Sequence, residues 1–382
     1  MDNLTHSLVG LTSAKAGLEK LSPYATTVCV ISANVADADF LSLFAGDRWT
    51  LLQYHRGLTH SIVGTIAIGI LVASFAFAIE RISSKIRQRA PRIRFGGLLL
   101  ASLIAAATHP VLDWTNNYGV RPLLPWSGRW YYGDLVYIAD PYIWLLLGAV
   151  AFLLTSQTRL KIAGWCFLAA CATLVIALAA VAGVPESTPL RIALMIWIVI
   201  VGAVAVARAY GAHNKLGAKS ALAALAVLIL YWGVLGITHD LALANTYPIA
   251  STIAGARGES VLRAAAMPDA ATPFRWQAVV ETDQAMYRFM VGPGSGDSVR
   301  FDAGQLMRYQ KPTGQKAALV QVAEQDRRAQ VLLGFARFPM ADADLTNCMG
   351  QTLVQFADLR YTEPGRGRGN FSVNIPVDCP NR

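Results

Sequence analysis

Histidine and aspartate residues cluster in the first third of this chain, beside strongly apolar segments. Four of the six histidines lie there, together with three aspartates: His6, Asp37, Asp39, His55, His60, His109 and Asp113. Imidazole and carboxylate ligands together suit zinc and similar divalent ions. Ionisable groups near a membrane are costly to bury, which favours a functional role for them. The sequence therefore predicts a metal site.

The Asp37-Ala38-Asp39 segment carries two carboxylates one residue apart. In a helix or a strand, neighbours at this spacing point in different directions. We therefore expect one carboxylate to bind the ion, preferably Asp39, while the other supports it.

Two further segments hold the remaining strong candidates. His55 and His60 flank a glycine immediately before an apolar stretch, which predicts two ligands at a membrane rim. His109 and Asp113 are four residues apart, so they share one face of a helix even if Pro110 starts a new turn. One helix can then offer both side chains to the same metal.

Three other residues are weaker candidates. His6 lies in a weakly amphipathic N-terminal segment and joins the site only if that segment folds against the same rim. Arg56 and Arg121 could clamp an anionic substrate such as a phosphate through paired hydrogen bonds. Interfacial anchoring and loop hydrogen bonding explain each arginine equally well.

The composition is that of a membrane protein. Of the 382 residues 54% are hydrophobic and only 15% charged, whereas soluble domains are about 25% charged. Six apolar stretches come near the roughly 17–25 residues that cross a bilayer. They are residues 62–79, 96–112, 141–158, 162–185, 192–207 and 220–238. Residues 21–36 are apolar but short, and fit a short span, a re-entrant helix or a buried helix.

The distribution of charge predicts the topology. Residues 80–94 contain six Lys or Arg against one acid, which places this loop in the cytoplasm. Residues 113–140 and everything after residue 238 then lie on the outer face. Because the basic residues concentrate in such loops, the net charge of +9 is a topology signal and no nucleic-acid partner is expected.

A second domain is predicted after residue 244, where charge, Pro and Gly become more frequent. Short segments rich in apolar and β-branched residues, 276–281, 287–291 and 317–322, predict a small, mainly β, soluble domain over 245–382. If this domain is extracytoplasmic, Cys348 and Cys379 can form a disulfide. Residues 1–244 form the helical membrane domain.

The polar segments resemble those of the YdjM-like family of bacterial inner-membrane proteins, which are described as metal-dependent hydrolases. The resemblance covers residues 3 to about 145. It rests on NLTH at 3–6, DAD at 37–39, HRGLTHS at 55–61, HPVLD at 109–113, and YG at 118–119 followed by Pro122. The family usually has a proline where this chain has Ala36, a difference that removes no ligand.

The resemblance extends distantly to zinc-dependent phospholipases C and single-strand nucleases, whose His-x-x-x-Asp element is similar to His109 and Asp113. It implies a helical bundle around two or three divalent metals, most readily Zn²⁺, in the bacterial inner membrane. The implied chemistry is hydrolysis by a metal-activated water, which Asp37 would orient or deprotonate with Asp39 beside it. The membrane rim favours a lipid or lipid-linked phosphoester as substrate.

Two other functions remain open. The protein could be a membrane scaffold with a structural metal, whose outer domain binds an envelope protein. A transporter is the weaker alternative, because residues 62–79, 162–185 and 220–238 contain no charged residue in mid-span.

Overall fold

The computed structural model describes residues 1–181, 188–294, 303–345, 350–365 and 371–379. In this part of the chain the helices are α1 (Asn3–Lys15), α2 (Ala25–Ser32), α3 (Arg48–Tyr54), α4 (Ile62–Ile86), α5 (Phe95–Trp114), α6 (Pro141–Thr155), α7 (Arg159–Val181), α8 (Thr188–Ala209), α9 (Ala218–Gly255), α10 (Gly314–Ala323) and α11 (Arg327–Phe335). The strands are β1 (Val261–Pro268), β2 (Trp276–Thr282), β3 (Ala285–Val291), β4 (Met307–Gln310), β5 (Pro339–Ala343), β6 (Gln351–Asp358) and β7 (Ser372–Asp378). The predicted class, a mainly helical membrane protein followed by a small β-rich domain, is confirmed.

Among the residues that the structure describes, five helices are long and apolar enough to cross a membrane: α4, α5, α7, α8 and α9. The predicted span at 141–158 is α6, which has 15 residues and is therefore only about 22 Å long. This is less than the roughly 30 Å of a bilayer core, so α6 is an apolar helix below spanning length.

The N-terminal apolar stretch is broken. Helix α2 is followed by a 3₁₀ segment, Val35–Phe44, and the two are bent by 51°. By length and composition this pair is either a broken span or a re-entrant loop, so the described residues supply five or six candidate spans.

The chain divides into two compact units. The first contains Met1–Ala38, Arg56–Gly236 and Asp269–Thr272, and the second contains Asp39–His55, Ile237–Pro268 and Pro273–Arg382. The domain boundary expected at residue 245 stays a prediction. Both that position and the start of this part of the second unit, Ile237, lie within α9, which continues to Gly255. Within the second unit, Ala242 and Ala250 of α9 are buried in the same core as strands β2 and β3.

The first unit is a helical bundle in which α1 packs against α2, α5 and α6, while α4 packs against α5. Its core includes Leu8, Leu112 and Ile143. Gly10 lets α1 and α2 approach closely, because a Cβ at this position would lie 2.8 Å from the carbonyl oxygen of Cys29. Small residues serve this purpose in many membrane bundles.

The second unit contains two antiparallel sheets, with strand orders β1-β2-β3-β4 and β5-β6-β7. The strands predicted at 276–281 and 287–291 are β2 and β3. The strand predicted at 317–322 is wrong, because this segment lies in α10. Leu319, Val320 and Ala323 are its buried residues, a helical spacing that lets α10 pack against β5 and β7.

Residues 39–55 belong to the second unit although 181 residues, 56–236, separate them from the rest of it. Helix α3 packs against α11. Arg48 donates a 3.3 Å hydrogen bond to the carbonyl oxygen of Ser372, and Arg327 donates one of 3.2 Å to Thr50. No local pattern in the sequence indicated this association. Cys348 lies outside the described residues, so its pairing with Cys379 stays a prediction.

A buried ion pair stabilises the second unit. Arg360 Nε and Nη2 lie 2.8 and 2.6 Å from Asp358 Oδ2, and neither residue is more than 4% exposed. The guanidinium also lies 4.6 Å from the ring centre of Phe335. This arginine therefore joins strand β6 to helix α11.

We expect Arg360→Met to lower the stability of this unit by about 3–5 kcal/mol, because the substitution leaves a buried carboxylate without its partner. Thermal unfolding of the detergent-solubilised chain measures the effect. Lys316→Met, which breaks an exposed pair with Asp342, serves as the control and should cost less than about 1 kcal/mol. Equal losses in the two variants would contradict the assignment.

Candidate metal centre

Four side chains of the first unit bring one ligand atom each to a common point. They are Asp37, His60, His109 and Asp113, and their ligand atoms all lie within 4.8 Å of one another. The Nε2 atoms of His60 and His109 are 3.0 Å apart. Asp113 Oδ2 lies 3.2 Å from His60 Nε2 and 3.5 Å from His109 Nε2. Asp37 Oδ1 lies 3.5 Å from both imidazole nitrogens.

These separations fit a tetrahedral metal. Bonds of about 2.0–2.2 Å, as zinc makes to nitrogen and oxygen, place the corners of a tetrahedron about 3.3–3.6 Å apart. Five of the six separations run from 3.0 to 3.5 Å, and the sixth, between the ligand atoms of Asp37 and Asp113, is no more than 4.8 Å. Asp113 Oδ2 is buried and accepts no hydrogen bond from the described residues. A cation between these atoms would satisfy it, so the residues present fit a divalent metal.

Helix α5 supplies two of the ligands. His109 and Asp113 lie one turn apart on its buried face, and the helix continues through Pro110 instead of restarting there. Proline lacks an N–H, so the carbonyl of Ala106 loses its usual helical donor without ending the helix. His109 and Asp113 therefore share one face of a helix, as their four-residue spacing predicted.

His60 ends a short 3₁₀ turn, Leu58–His60, directly before α4. Ser61 caps α4 by accepting a 3.0 Å hydrogen bond from the N–H of Gly64. A Cβ on Gly64 would lie 1.8 Å from the carbonyl oxygen of Leu58, so only glycine allows the turn to fold onto the helix. This tight turn directs the imidazole of His60 into the bundle, where the side chain is fully buried.

Hydrogen bonds at the outer nitrogens orient both imidazoles. His109 Nδ1 donates to the carbonyl oxygen of Ala33 over 2.7 Å, which leaves the lone pair of its neutral ring on Nε2. His60 Nδ1 lies 2.9 Å from the hydroxyl of Thr59. Such partners fix the ring orientation of metal-binding histidines. Ala33 was not predicted as part of the site, because a backbone carbonyl leaves no side-chain signal in the sequence.

Arg56 lies beneath the site and is only 2% exposed. Its Nη2 atom is 3.0 Å from Asp113 Oδ1, and its Nη1 atom donates a 2.9 Å hydrogen bond to Asn116. The guanidinium also stacks 4.4 Å over the ring of Tyr118. These contacts orient Asp113 so that Oδ1 faces the arginine and Oδ2 faces the histidines. A role for Arg56 in substrate binding stays a prediction.

His6 reaches the same cluster from α1. Its ring stacks on that of His109 with 3.8 Å between centroids, and its Nε2 lies 3.4 Å from Asp113 Oδ1. Burial lowers the pKa of His6 to about 4, so the ring is neutral at pH 7. The N-terminal amine of Met1 also contacts Asp113. Asp2 positions α1 by accepting a hydrogen bond from the N–H of Thr5.

Three further predicted residues are not members of this four-ligand group. Asp39 and His55 belong to the second unit, where Asp39 Oδ1 lies 2.9 Å from His55 Nδ1. Arg121 stacks over Trp130 at 4.6 Å. Ligand roles for Asp39 and His55, and a substrate contact for Arg121, stay predictions. Among the described residues of the first unit there is one four-ligand group, so a count of two or three ions also stays a prediction.

The N-terminal part of the chain matches a known family of membrane proteins. Residues 1–184 match the family model described as YdjM inner membrane protein. The family resemblance is thereby confirmed for the part of the chain that contains the whole four-ligand group. With its five candidate spans, the chain is a multi-pass membrane protein.

One curated relative is the uncharacterized protein YfhP of Bacillus subtilis (strain 168). It is 27% identical over 161 residues, which are 40% of this chain and 46% of YfhP. The alignment therefore spans less than half of that relative. No solved structure gives a significant match.

We expect the detergent-purified protein to hold a divalent metal, measured by elemental analysis, and His109→Ala to lower the metal affinity about 100-fold or more. His239→Ala is the matched control, because His239 also pairs with an aspartate, Asp240, but lies in the second unit. Retention of metal by the His109 variant, or loss from the control, would contradict the assignment.

Arg56→Lys should weaken metal binding by about 10–100-fold, because a lysine cannot contact both Asp113 and Asn116 as the guanidinium does. Titration of the metal-free protein with Co²⁺, followed by visible absorption, measures affinity and coordination geometry together. An unchanged affinity with a normal tetrahedral spectrum would show that Arg56 does not position Asp113.

Proposed function

We propose that the protein is a membrane-bound, metal-dependent hydrolase that acts on a phosphoester. The observation that carries this proposal is the buried group of His60, His109, Asp113 and Asp37, whose separations fit a tetrahedral zinc-like ion. Mixed nitrogen and oxygen ligands of this kind are common in zinc hydrolases. The match of residues 1–184 to an inner-membrane family supports a site that operates at a bilayer.

Three of the four ligands differ from the fourth in their surroundings. His60, His109 and Asp113 are at most 1% exposed and are held by neighbouring hydrogen bonds, whereas Asp37 is 8% exposed and lies on a 3₁₀ segment. Catalytic zinc sites typically use three protein ligands and leave one position for water or substrate. We therefore assign metal binding to the first three residues and a proton-accepting role to Asp37.

A divalent metal bound here would supply Lewis-acid activation of water and stabilisation of negative charge on a phosphoryl oxygen. With such a metal bound, Asp37 would accept a proton from the water, since its carboxylate lies beside both imidazole nitrogens. Arg56 holds the carboxylate of Asp113 in its orientation. The hydrogen bond from His109 Nδ1 to the carbonyl oxygen of Ala33 directs its Nε2 inward, and the contact between His60 Nδ1 and the Thr59 hydroxyl orients the other ring. Asp39 remains a second candidate for the acid-base role.

A structural metal site in a membrane scaffold is the second candidate function. It is favoured by one observation, that Asp37 completes a set of four protein ligands, as structural zinc sites require. In that case the role of Asp37 is coordination. The two functions therefore differ in what the Asp37 side chain does.

The membrane surroundings favour a lipid or lipid-linked substrate. The loop charges favour an outer, periplasmic position for the domain that follows α9, which requires α6 and its flanking residues to complete a sixth crossing. In this proposal the C-terminal domain is also the surface that an envelope partner would bind. Reporter fusions after Gln157 and after residue 260 should lie on opposite sides of the membrane.

Asp37→Asn tests the assignment directly. We expect this variant to keep its metal while its phosphodiester hydrolysis falls by about 100–10,000-fold, because an amide cannot accept the proton. The measurements are elemental analysis and hydrolysis of bis(4-nitrophenyl) phosphate in detergent, with His239→Ala as a control. Chelation should abolish the wild-type activity and Zn²⁺ or Mn²⁺ should restore it. Loss of the metal from Asp37→Asn, together with no hydrolysis by the wild type, would favour the scaffold.

A further inference from the structure

A cavity of about 440 Å³ lies between the ends of α4 and α5, and His60 forms part of its wall. The first turns of α4 contribute Ile62 and Ile66, and the last turns of α5 contribute Ala107, Val111 and Trp114. Its volume is in the range of small-molecule binding sites, about 300–1,000 Å³. The cavity is thus continuous with a residue of the metal centre.

The residues that line the cavity are mostly apolar, and several of them are exposed on the surface of the helical bundle. Ile62, Ile66 and Val111 are each at least 50% exposed, and all belong to helices long enough to cross a membrane. In a bilayer these side chains meet lipid hydrocarbon instead of water. A hydrocarbon chain can therefore enter from the membrane without crossing an aqueous phase.

The outer side of the cavity is closed by an ordered loop. Val120 and Tyr131 pair through two backbone hydrogen bonds of 3.0 and 2.9 Å. The N–H of Ile62 donates a 3.0 Å hydrogen bond to the carbonyl oxygen of Pro122, which ties the loop to the start of α4. All of these residues except Ile62 lie in the loop between α5 and α6. The cavity is therefore preformed at the rim of the helices.

One polar group inside this wall lacks a partner. The hydroxyl of Thr65 is buried, with the residue only 9% exposed, and makes no hydrogen bond to the described residues. Thr65 lines the cavity together with His60. An unsatisfied buried hydroxyl costs free energy, which a ligand oxygen at this position would recover.

We propose that this cavity binds the hydrocarbon chain of a membrane lipid phosphoester, with the Thr65 hydroxyl donating a hydrogen bond to an oxygen near the lipid headgroup. The inference rests on the proposed function, and it names the substrate class. The apolar residues hold the start of the chain over about 10 Å, two turns of helix. The polar end of the lipid then lies at His60, where the metal centre begins.

A photolabelling experiment tests binding without requiring turnover. The full-length protein is reconstituted in vesicles of phosphatidylethanolamine and phosphatidylglycerol that contain a phosphatidylethanolamine with a diazirine in one acyl chain. We expect labelling to concentrate on peptides containing residues 62–66 and 107–114, and to fall at least fivefold in Ala107→Trp, which fills the cavity. Leu100→Trp, an exposed position on the same helix, is the control and should label as the wild type does.

An activity measurement completes the test. Ala107→Trp should lower kcat/KM for a long-chain phospholipid by tenfold or more, while hydrolysis of bis(4-nitrophenyl) phosphate, which has no acyl chain, stays unchanged. Thr65→Val should also lower kcat/KM for the phospholipid by tenfold or more. Labelling spread evenly over the lipid-facing helices, or an equal loss of both activities, would overturn the inference. If the wild type hydrolyses neither substrate, the proposed function fails, whereas cavity-specific labelling would still establish a lipid-binding site.

Discussion

The first unit is organised around a buried group of ligand atoms that could hold a cation. Two imidazole nitrogens lie 3.0 Å apart, with the carboxylate of Asp113 within 3.5 Å of both. Lone pairs and charge at this density are strongly unfavourable away from water unless they are compensated. A proton shared between these groups or a cation at their centre would compensate them, and the surrounding helices hold the ligand atoms close together.

The packing of the bundle meets this requirement. Helix α5 fixes His109 and Asp113 through a single turn, whereas His60 depends on the turn that Gly64 permits. The orientation of His109 depends in turn on the carbonyl of Ala33, at the end of α2. The ligands thus depend on α5 and on its junctions with α2 and α4, so a change in bundle packing alters the geometry of the site.

The membrane and the metal centre are connected through His60. This residue belongs both to the ligand group and to the wall of an apolar cavity between two membrane-length helices. A hydrolytic site for water-soluble substrates would need no such cavity.

The chain also leaves the first unit after Ala38 and returns to it at Arg56, after the segment that folds with the C-terminal domain. Residues of the site therefore flank the inserted segment on both sides in the sequence.

Part of the fold and part of the candidate metal site could be predicted from the sequence alone. Hydrophobic length fixed the spanning helices, and the four-residue spacing fixed His109 and Asp113 on one face, because both effects depend only on neighbours in the chain. The helix α10, read from its sequence as a strand, shows the limit of this reasoning, because packing against β5 and β7 decided its conformation.

Only the tertiary structure brought Asp37 and His60 to α5, gave Arg56 its contact with Asp113, and placed residues 39–55 in the second unit. These contacts join residues far apart in the sequence, and their free energy depends on shapes that exist only after the helices have packed.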